Sequence, residues 1–210
     1  MIKKIIFDLD NTLVFMSPEW ENRYKGFIDK YKLNTTPKEL YACIGSFEKN
    51  VNDVIVTPEM LCKYVNDNIF TNISESAFLE FLDTYKNIPM LNSDEAYDVL
   101  NYLSQKYELI SYTDWFTEDQ IYRLEKQGLG KFFSKIYGWD KVQIKPSKSS
   151  IKEIIKDEDI KDYVYIGDSM EFDLEVPNSM GMDTIFVNRK NVEQNKYKEV
   201  YKIEDLKNIL

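Results

Sequence analysis

The sequence predicts an α/β protein, a doubly wound parallel sheet interrupted by an all-helical insertion. Residues 2–7 contain the apolar run Ile5-Ile6-Phe7, which is typical of a parallel strand covered on both faces. Residues 17 to about 87 carry helical signals and no strand pattern. From residue 93 onwards helices and strands alternate, as expected for a parallel sheet.

The insertion is predicted to contain three or four short helices. Their start signals are Ser17, Thr36, Thr57 and Ser74, each followed by a proline or an acid, and Glu39 completes a capping box with Thr36. Aromatic side chains also recur in it, namely Trp20, Tyr24, Phe27, Tyr31 and Phe47. They fit the insertion's own core, the more ordinary arrangement, or a surface on which a nucleobase or sugar stacks.

A second series of elements follows a pause at residues 88–91. Asn92 begins a helix there, and Glu95 completes a predicted capping box. The predicted helices are 93–105, 117–127, 147–156 and one near 171–180, and the predicted strands are 108–113, 133–137, 163–166 and 184–187. Residues 188–198 are polar and predicted to be a surface connection. The predicted division is a catalytic core of residues 1–15 and 89–210 and a helical cap domain of residues 16–88.

Composition restricts the possible partners. The chain has 210 residues, 43% of them hydrophobic, and a net charge of −9, which argues against nucleic acid. No apolar stretch is long enough for a bilayer, and Asp8 and Asp10 interrupt any signal-peptide pattern. Cys43 and Cys62 have neither metal-site spacing nor a disulfide framework. We therefore expect a cytoplasmic protein without a membrane or nucleic-acid partner, and its oligomeric state does not follow from the sequence.

The chain contains no histidine, so catalysis has to use carboxylates, hydroxyls and lysines. Asp8 and Asp10 follow the first strand directly. Two carboxylates this close raise each other's pKa unless a cation lies between them, and Mg²⁺ prefers such oxygens. One carboxylate can then act as a nucleophile and the other as an acid or base.

Further polar residues lie where later strands end. They are Thr113 and Asp114, Lys145 before Pro146, and Gly167-Asp168-Ser169 with Asp173. Taken singly, each has an ordinary explanation as a turn, a helix cap or a surface lysine. Ligands of open α/β sheets bind at the carboxyl ends of the strands, however, and together this set fits a phosphate group held by Mg²⁺.

These four segments, in this order, resemble the motifs of the haloacid dehalogenase (HAD) superfamily of phosphohydrolases over nearly the whole chain. Asp8-Leu9-Asp10-Asn11-Thr12 is similar to the first motif, Thr113 to the second, Lys145-Pro146 to the third, and Gly167-Asp168-Ser169 with Asp173 to the fourth. The inserted helices resemble the cap of the branch that includes phosphoglycolate phosphatases and some nucleotidases.

The resemblance implies a role for each residue. Asp8 would attack phosphorus, and Asp10 would protonate the leaving group and later activate water. Asp8, Asp10 through its main-chain carbonyl, and Asp168 would hold Mg²⁺, with Asp173 beside them. Thr113 and Lys145 would bind the phosphoryl oxygens, with Asp114 adjoining them in the substrate site.

Two alternatives stay open within the motifs and the cap. The family often has Asn-Gly after the second-motif residue, whereas this chain has Asp114-Trp115, and a tryptophan there would narrow the pocket. Ser111 lies on the same strand face as Thr113 and is the alternative phosphate ligand. The cap contains eight basic and eleven acidic residues, a balance that does not favour a large anionic substrate. Nothing in the sequence singles out Arg23 or Lys25 as a substrate contact.

The function predicted from these residues is a Mg²⁺-dependent phosphatase that hydrolyses a small phosphorylated metabolite through an aspartyl-phosphate. The presence of Asp10 favours a phosphate ester over a halide, because a departing halide needs no general acid. The alternatives are a phosphomutase of a sugar phosphate and a catalytically silent binding module with the same fold.

Overall fold

The computed structural model describes residues 2–210. Its strands are β1 (Lys4–Phe7), β2 (Phe15–Met16), β3 (Met90–Leu91), β4 (Glu108–Tyr112), β5 (Phe133–Tyr137), β6 (Tyr163–Gly167), β7 (Asp183–Val187) and β8 (Lys198–Val200). Its helices are α1 (Trp20–Tyr31), α2 (Pro37–Asn50), α3 (Pro58–Ile69), α4 (Glu75–Lys86), α5 (Ser93–Leu103), α6 (Thr117–Lys126), α7 (Lys148–Ile155), α8 (Glu175–Ser179) and α9 (Leu206–Ile209). Within these residues, no helix combines the length and the apolar composition that a bilayer crossing needs.

Six strands form one parallel sheet in the order β5-β4-β1-β6-β7-β8, so the predicted doubly wound sheet is confirmed. β1 lies in the interior of the sheet, where Phe7 is level with Ser111 of β4 and Ile166 of β6. Ile5 and Phe7 pack with side chains of α5, and Ile6 packs with those of α7. Burial of both faces explains why Ile5, Ile6 and Phe7 of this strand are all apolar.

The four helices α1–α4, here called the cap, lie between β2 and β3, which pair with each other antiparallel. Thr36 and Glu39 form the predicted capping box, and Thr57 and Ser74 cap the next two helices. The interior of the cap is aromatic, and the rings of Phe27 and Phe81 lie 5.1 Å apart. The cap therefore has apolar packing of its own.

A backbone connection also joins the cap to the loop that precedes Lys145. The Val56 amide donates to the Trp139 carbonyl at 2.8 Å, and the Ile144 amide donates to the Val54 carbonyl at 2.9 Å. The indole of Trp139 is fully buried and packs with Phe47 of the cap. Contact between the two regions is thus more extensive than the β2–β3 connection alone.

Some predicted boundaries are wrong for local reasons. Helix α1 begins at Trp20, because Ser17 accepts a hydrogen bond from the Glu19 amide in a turn that precedes the helix. Asn92 has a φ of 62° and caps no amide with its side chain, so the capping box with Glu95 does not form.

The last third of the chain differs from the prediction at two further places. A π-helical turn at Met170–Leu174 followed by the short helix α8 replaces the single helix predicted near 171–180. Strand β8 is absent from the sequence prediction, since three residues, two of them charged, form no recognisable alternating pattern.

Candidate active site

The predicted site residues converge on one cavity at the carboxyl edge of the sheet. Asp8 follows β1, Thr113 and Asp114 follow β4, and Asp168 follows β6, and these three strands are neighbours. With Asp10 and Asp173 they line a cavity of about 310 Å³, which the cap covers from the other side. Lys145 is buried beneath this cavity in contact with three of its acids.

Asp8 is almost fully buried and is held at both carboxylate oxygens. Lys145 Nζ donates to Oδ1 at 2.8 Å, and Thr12 Oγ1 donates to Oδ2 at 2.7 Å. Burial raises the pKa of Asp8 to about 7, even though the Lys145 ammonium favours the charged form. Asp8 is therefore oriented as a nucleophile would be, and further positive charge would keep it ionised.

Lys145 is a buried ammonium, 1% exposed, surrounded by carboxylates. Its Nζ lies 2.8 Å from Asp8 Oδ1, 2.8 Å from Asp173 Oδ1 and 3.6 Å from Asp114 Oδ2. Burial alone would lower the pKa of this lysine, but the three carboxylates raise it well above its usual value. The ammonium form is therefore favoured, and it holds the acids around it in place.

Asp8, Asp168 and Asp173 form a group of acids that fits a metal ion. Each offers one carboxylate oxygen, and these oxygens lie within 4.8 Å of one another. Burial, followed by the charge of Asp8, raises the pKa of Asp168 to about 6, and burial also raises the pKa of Asp173. Hard oxygen donors whose mutual repulsion a cation would relieve are the donor set that Mg²⁺ prefers.

The position of Asp173 depends on local backbone geometry. Its Oδ2 accepts from the Ser169 amide at 3.0 Å, within the π-helical turn. A side chain at Gly167 would collide with the Asp173 carboxylate, so the glycine that ends β6 permits this close approach. Asp173 thus contacts both Lys145 and the loop that carries Asp168.

Asp10 has partners that the sequence prediction missed. Arg123 donates from Nη2 to Asp10 Oδ1 at 2.8 Å and from Nη1 to Oδ2 at 2.9 Å. Gln120 Nε2 donates to Asp10 Oδ2 at 3.0 Å and to Thr113 Oγ1 at 2.8 Å. Burial would favour the protonated acid, but Arg123 outweighs it and lowers the pKa of Asp10.

Gln120 and Arg123 lie one turn apart on α6 and are both buried, Arg123 to 2% exposure. The sequence offers one weak signal, because Thr117, Gln120 and Leu124 share the helix face that turns inward. Arginine normally lies at the surface, so nothing in the sequence pairs it with a carboxylate more than a hundred residues away.

Thr113, and not Ser111, lines the cavity. Ser111 is buried within β4, and its hydroxyl has no hydrogen-bond partner among residues 2–210. Asp114 lines the cavity too, and its Oδ1 accepts from the Trp139 indole at 3.1 Å and from the Lys145 amide at 3.4 Å. Its assignment to substrate binding stays a prediction.

The wall on the cap side consists of Tyr24, Tyr41, Glu48 and Tyr85 with the apolar atoms around them. Trp115 also lines this wall, and its ring stacks on Tyr85 with centroids 4.0 Å apart. Phe27 and Phe47 pack in the cap interior instead, and Trp20 stacks on Tyr41. Arg23 and Lys25 are exposed, lie beside Glu19 and Asp29, and do not line the cavity.

Solved structures that share this fold come from several bacteria. The HAD-hydrolase YfnB from Bacillus subtilis, bound to magnesium, is 18% identical with a TM-score of 0.76 and matches 100% of this chain and 98% of its own. The 2-haloacid dehalogenase of Pseudomonas syringae is 19% identical with a TM-score of 0.70 over 100% and 98% of the two chains. A predicted phosphoglycolate phosphatase from Haemophilus somnus is 17% identical with a TM-score of 0.73 over 99% and 97%.

No curated protein matches this chain. The family model of haloacid dehalogenase-like hydrolases matches residues 5–187, which include every residue of the candidate site and the whole cap. The match begins within β1 and ends with β7, so it covers all but the last strand of the sheet. The chain therefore belongs to the haloacid dehalogenase-like hydrolase family.

Proposed function

We propose that this hydrolase is a Mg²⁺-dependent phosphatase that acts on a small phosphorylated metabolite through an aspartyl-phosphate. The observation that supports it most strongly is the buried Lys145 ammonium, which lies 2.8 Å from both Asp8 and Asp173. This arrangement places a fixed positive charge and an oriented carboxylate where a phosphoryl group would arrive.

In the first half-reaction a carboxylate oxygen of Asp8 attacks phosphorus, and the bond from phosphorus to the ester oxygen breaks. Asp10 gives its proton to that oxygen, so the leaving group departs as an alcohol. In the second half-reaction water attacks phosphorus and gives its proton to Asp10. Inorganic phosphate then leaves, and the carboxylate of Asp8 is restored.

The other residues hold charge and geometry. Lys145 and the Thr113 hydroxyl would bind the phosphoryl oxygens. Asp8, Asp168 and the main-chain carbonyl of Asp10 would hold Mg²⁺, with Asp173 beside it, and the ion would offset the negative charge of phosphate and carboxylates. We also propose that the cap, residues 16–88, moves as a unit and excludes water during transfer.

Arg123 places a condition on the acid step. Its guanidinium keeps Asp10 ionised, which suits a base that accepts a proton from water. To act as an acid, Asp10 has to loosen at least one of these hydrogen bonds when the ester binds. Arg123 is therefore a positioning residue in this proposal, because it acts through the Asp10 carboxylate and has no assigned contact with the phosphoryl group.

The cavity favours hydrolysis over phosphomutase chemistry. A mutase has to bind a second phosphate at the cap side of its cavity, and a dianion there needs a cationic partner. Among residues 2–210, no lysine or arginine lines that wall. The silent-module alternative is disfavoured because Asp8, Lys145 and Asp168 keep an arrangement that binding alone does not require.

A screen for phosphate release tests the proposal. Sugar phosphates, nucleotides and short phosphorylated acids and alcohols are incubated with the protein, with Mg²⁺ and with EDTA. We expect release in Mg²⁺ only, and a fall of at least about 10⁴-fold in Asp8→Asn, which lacks the nucleophile. Asp98→Asn, the same change at an exposed position of α5, serves as the matched control.

Two results would contradict the proposal. Turnover retained in Asp8→Asn would remove Asp8 as the nucleophile. Absence of phosphate release from every ester would favour the mutase, which a bisphosphate activator would then reveal, or the silent module.

A further inference from the structure

Glu48 of α2 faces the cavity as an acid without a partner. Its side chain is only partly buried, and its carboxylate makes no hydrogen bond and no ion pair within residues 2–210. Burial, followed by the charge of Asp114, raises the pKa of Glu48 to about 9. The protein thus disfavours a negative charge at this position, even though Lys145 partly offsets it, and a positively charged ligand group would stabilise the ionised carboxylate.

The charge of the whole cavity also favours a positively charged ligand group. Six carboxyl groups line it: Asp8, Asp10, Glu48, Asp114, Asp168 and Asp173. The two cations nearby, Lys145 and Arg123, already pair with acids of the core. A leaving group with a carboxylate or a second phosphate would meet only like charge at the cap wall.

The cap wall also carries a second group without a partner. Tyr24 lines the cavity, and its hydroxyl is fully buried without a hydrogen-bond partner among the described residues. Tyr41 and Tyr85 line the wall beside it. A phenol oxygen accepts hydrogen bonds, and aromatic faces attract cations. Tyrosines next to a carboxylate are a set that suits an ammonium group.

We propose that Glu48 and Tyr24 bind an ammonium group of the ester's leaving group, so that the substrates are phosphate esters of small amino alcohols or amino sugars. This inference rests on the proposed phosphatase function. The cavity of about 310 Å³ also has to hold the phosphoryl group, so the leaving group is small. A neutral polyol would satisfy the Tyr24 hydroxyl but would not stabilise the ionised form of Glu48.

Three esters of equal length and different charge test the proposal. They are 2-aminoethyl phosphate, 2-hydroxyethyl phosphate and 2-phosphoglycolate, whose terminal groups at neutral pH are cationic, neutral and anionic. With Mg²⁺, we expect kcat/KM for the amine to exceed that for the alcohol by about 10- to 100-fold, which is the usual value of a hydrogen-bonded charge. The carboxylate should be the poorest of the three.

A substitution at Glu48 isolates the contribution of its charge. In Glu48→Gln we expect the ratio of kcat/KM for amine over alcohol to fall by at least about tenfold. Glu48→Lys should reverse the order and favour 2-phosphoglycolate. Glu21→Gln, the same change at an exposed position of α1, is the matched control and should leave the ratio as in the unaltered protein.

The outcomes separate this inference from the phosphatase proposal. Asp8-dependent hydrolysis of the alcohol ester, with an amine-to-alcohol ratio near one, would overturn the ammonium site and leave the phosphatase standing. If none of the three esters is hydrolysed, the wider ester screen decides the phosphatase proposal, and calorimetry of the three esters with the intact protein in Mg²⁺ decides the ammonium site. Preferential binding of the amine would then support the site, and its absence would overturn it.

Discussion

The wall of the cavity formed by the core and the wall formed by the cap differ in whether their polar groups have partners. On the core wall, Asp8, Asp173 and Lys145 satisfy one another, and Asp10 is held by Arg123 through two hydrogen bonds. On the cap wall, within residues 2–210, the buried Tyr24 hydroxyl has no hydrogen-bond partner, and the partly exposed Glu48 carboxylate forms no hydrogen bond or ion pair.

This difference separates the chemistry of the site from its choice of substrate. Groups that are fixed by one another need little reorganisation when the reaction begins, and this favours catalysis. Groups without partners cost free energy until a ligand binds to them. Substitutions on the core wall should therefore change the rate for every ester, and those on the cap wall should change which ester reacts.

After Asp8→Asn, the largest effect is expected for Lys145→Met, which keeps most of the length of the side chain and removes its charge. The loss of a fixed cation at the phosphoryl group should lower kcat by about 10²- to 10³-fold for all esters alike. Phosphate-release kinetics with two unrelated esters measure this loss of kcat. Lys148→Met, an exposed position at the start of α7, is the control. A loss confined to one ester would contradict the separation of the two walls.

The core wall should also make stability depend on pH when Mg²⁺ is absent. Burial raises the pKa of Asp8 to about 7 and that of Asp168 to about 6, whereas unfolded aspartates titrate near 4. Between about pH 4 and pH 7 the folded state therefore binds more protons than the unfolded state, and stability falls as pH rises.

Thermal unfolding in EDTA at pH 5 and pH 8 measures this effect. A loss of about 2 kcal/mol would lower Tm by about 4–8 °C in a chain of this size. Mg²⁺ should restore stability more at pH 8 than at pH 5, because it replaces the protons between the acids. Equal stabilisation by Mg²⁺ at both pH values would place the ion away from Asp8 and Asp168.

A smaller effect is expected for Arg123→Lys, which keeps the charge but loses the paired hydrogen bonds to Asp10. Because lysine stabilises the ionised carboxylate less than the paired arginine does, the pKa of Asp10 should rise. The acidic limb of the pH profile of kcat should therefore move to higher pH. We expect kcat to fall by about tenfold. Arg23→Lys, exposed on α1, controls for the substitution type. A lower kcat with an unmoved pH profile would indicate a purely structural role.

The smallest effect is expected for Tyr24→Phe. Removal of a buried hydroxyl without a partner should stabilise the ligand-free protein by about 1 kcal/mol, which a rise in Tm would report. The same variant should raise KM for an amine ester while kcat changes little. A lower Tm would mean that the hydroxyl already has a partner in solution.

The core wall could be predicted from the sequence because its geometry follows from the fold. The carboxyl ends of neighbouring parallel strands meet at one edge, so Asp8, Thr113 and Asp168 had to lie near one another once the strands were identified. Lys145 comes from a loop, and its place was inferred from the resemblance of Lys145-Pro146 to a family motif. The choice of Thr113 over Ser111 followed from where β4 ends.

The remaining contacts depend on tertiary packing that no local pattern encodes. Arg123 and Glu48 lie on amphipathic helices, where a charged residue is normally solvated, and only the approach of a distant segment buries them. Strand β8 is too short to show alternation. The missing capping box at Asn92 goes with its left-handed backbone, a conformation that asparagine tolerates but that the sequence alone does not predict.

The two main-chain hydrogen bonds at Val56 and Ile144 would report the proposed movement of the cap. Ile144 directly precedes Lys145, which contacts the core acids. Movement of the four cap helices away from the core would break both hydrogen bonds, expose the two amides to solvent and loosen the segment that carries Lys145. Hydrogen–deuterium exchange at these two amides would therefore measure how often the cap opens. Entry of an ester and the alignment of Lys145 would then be linked through one short stretch of backbone.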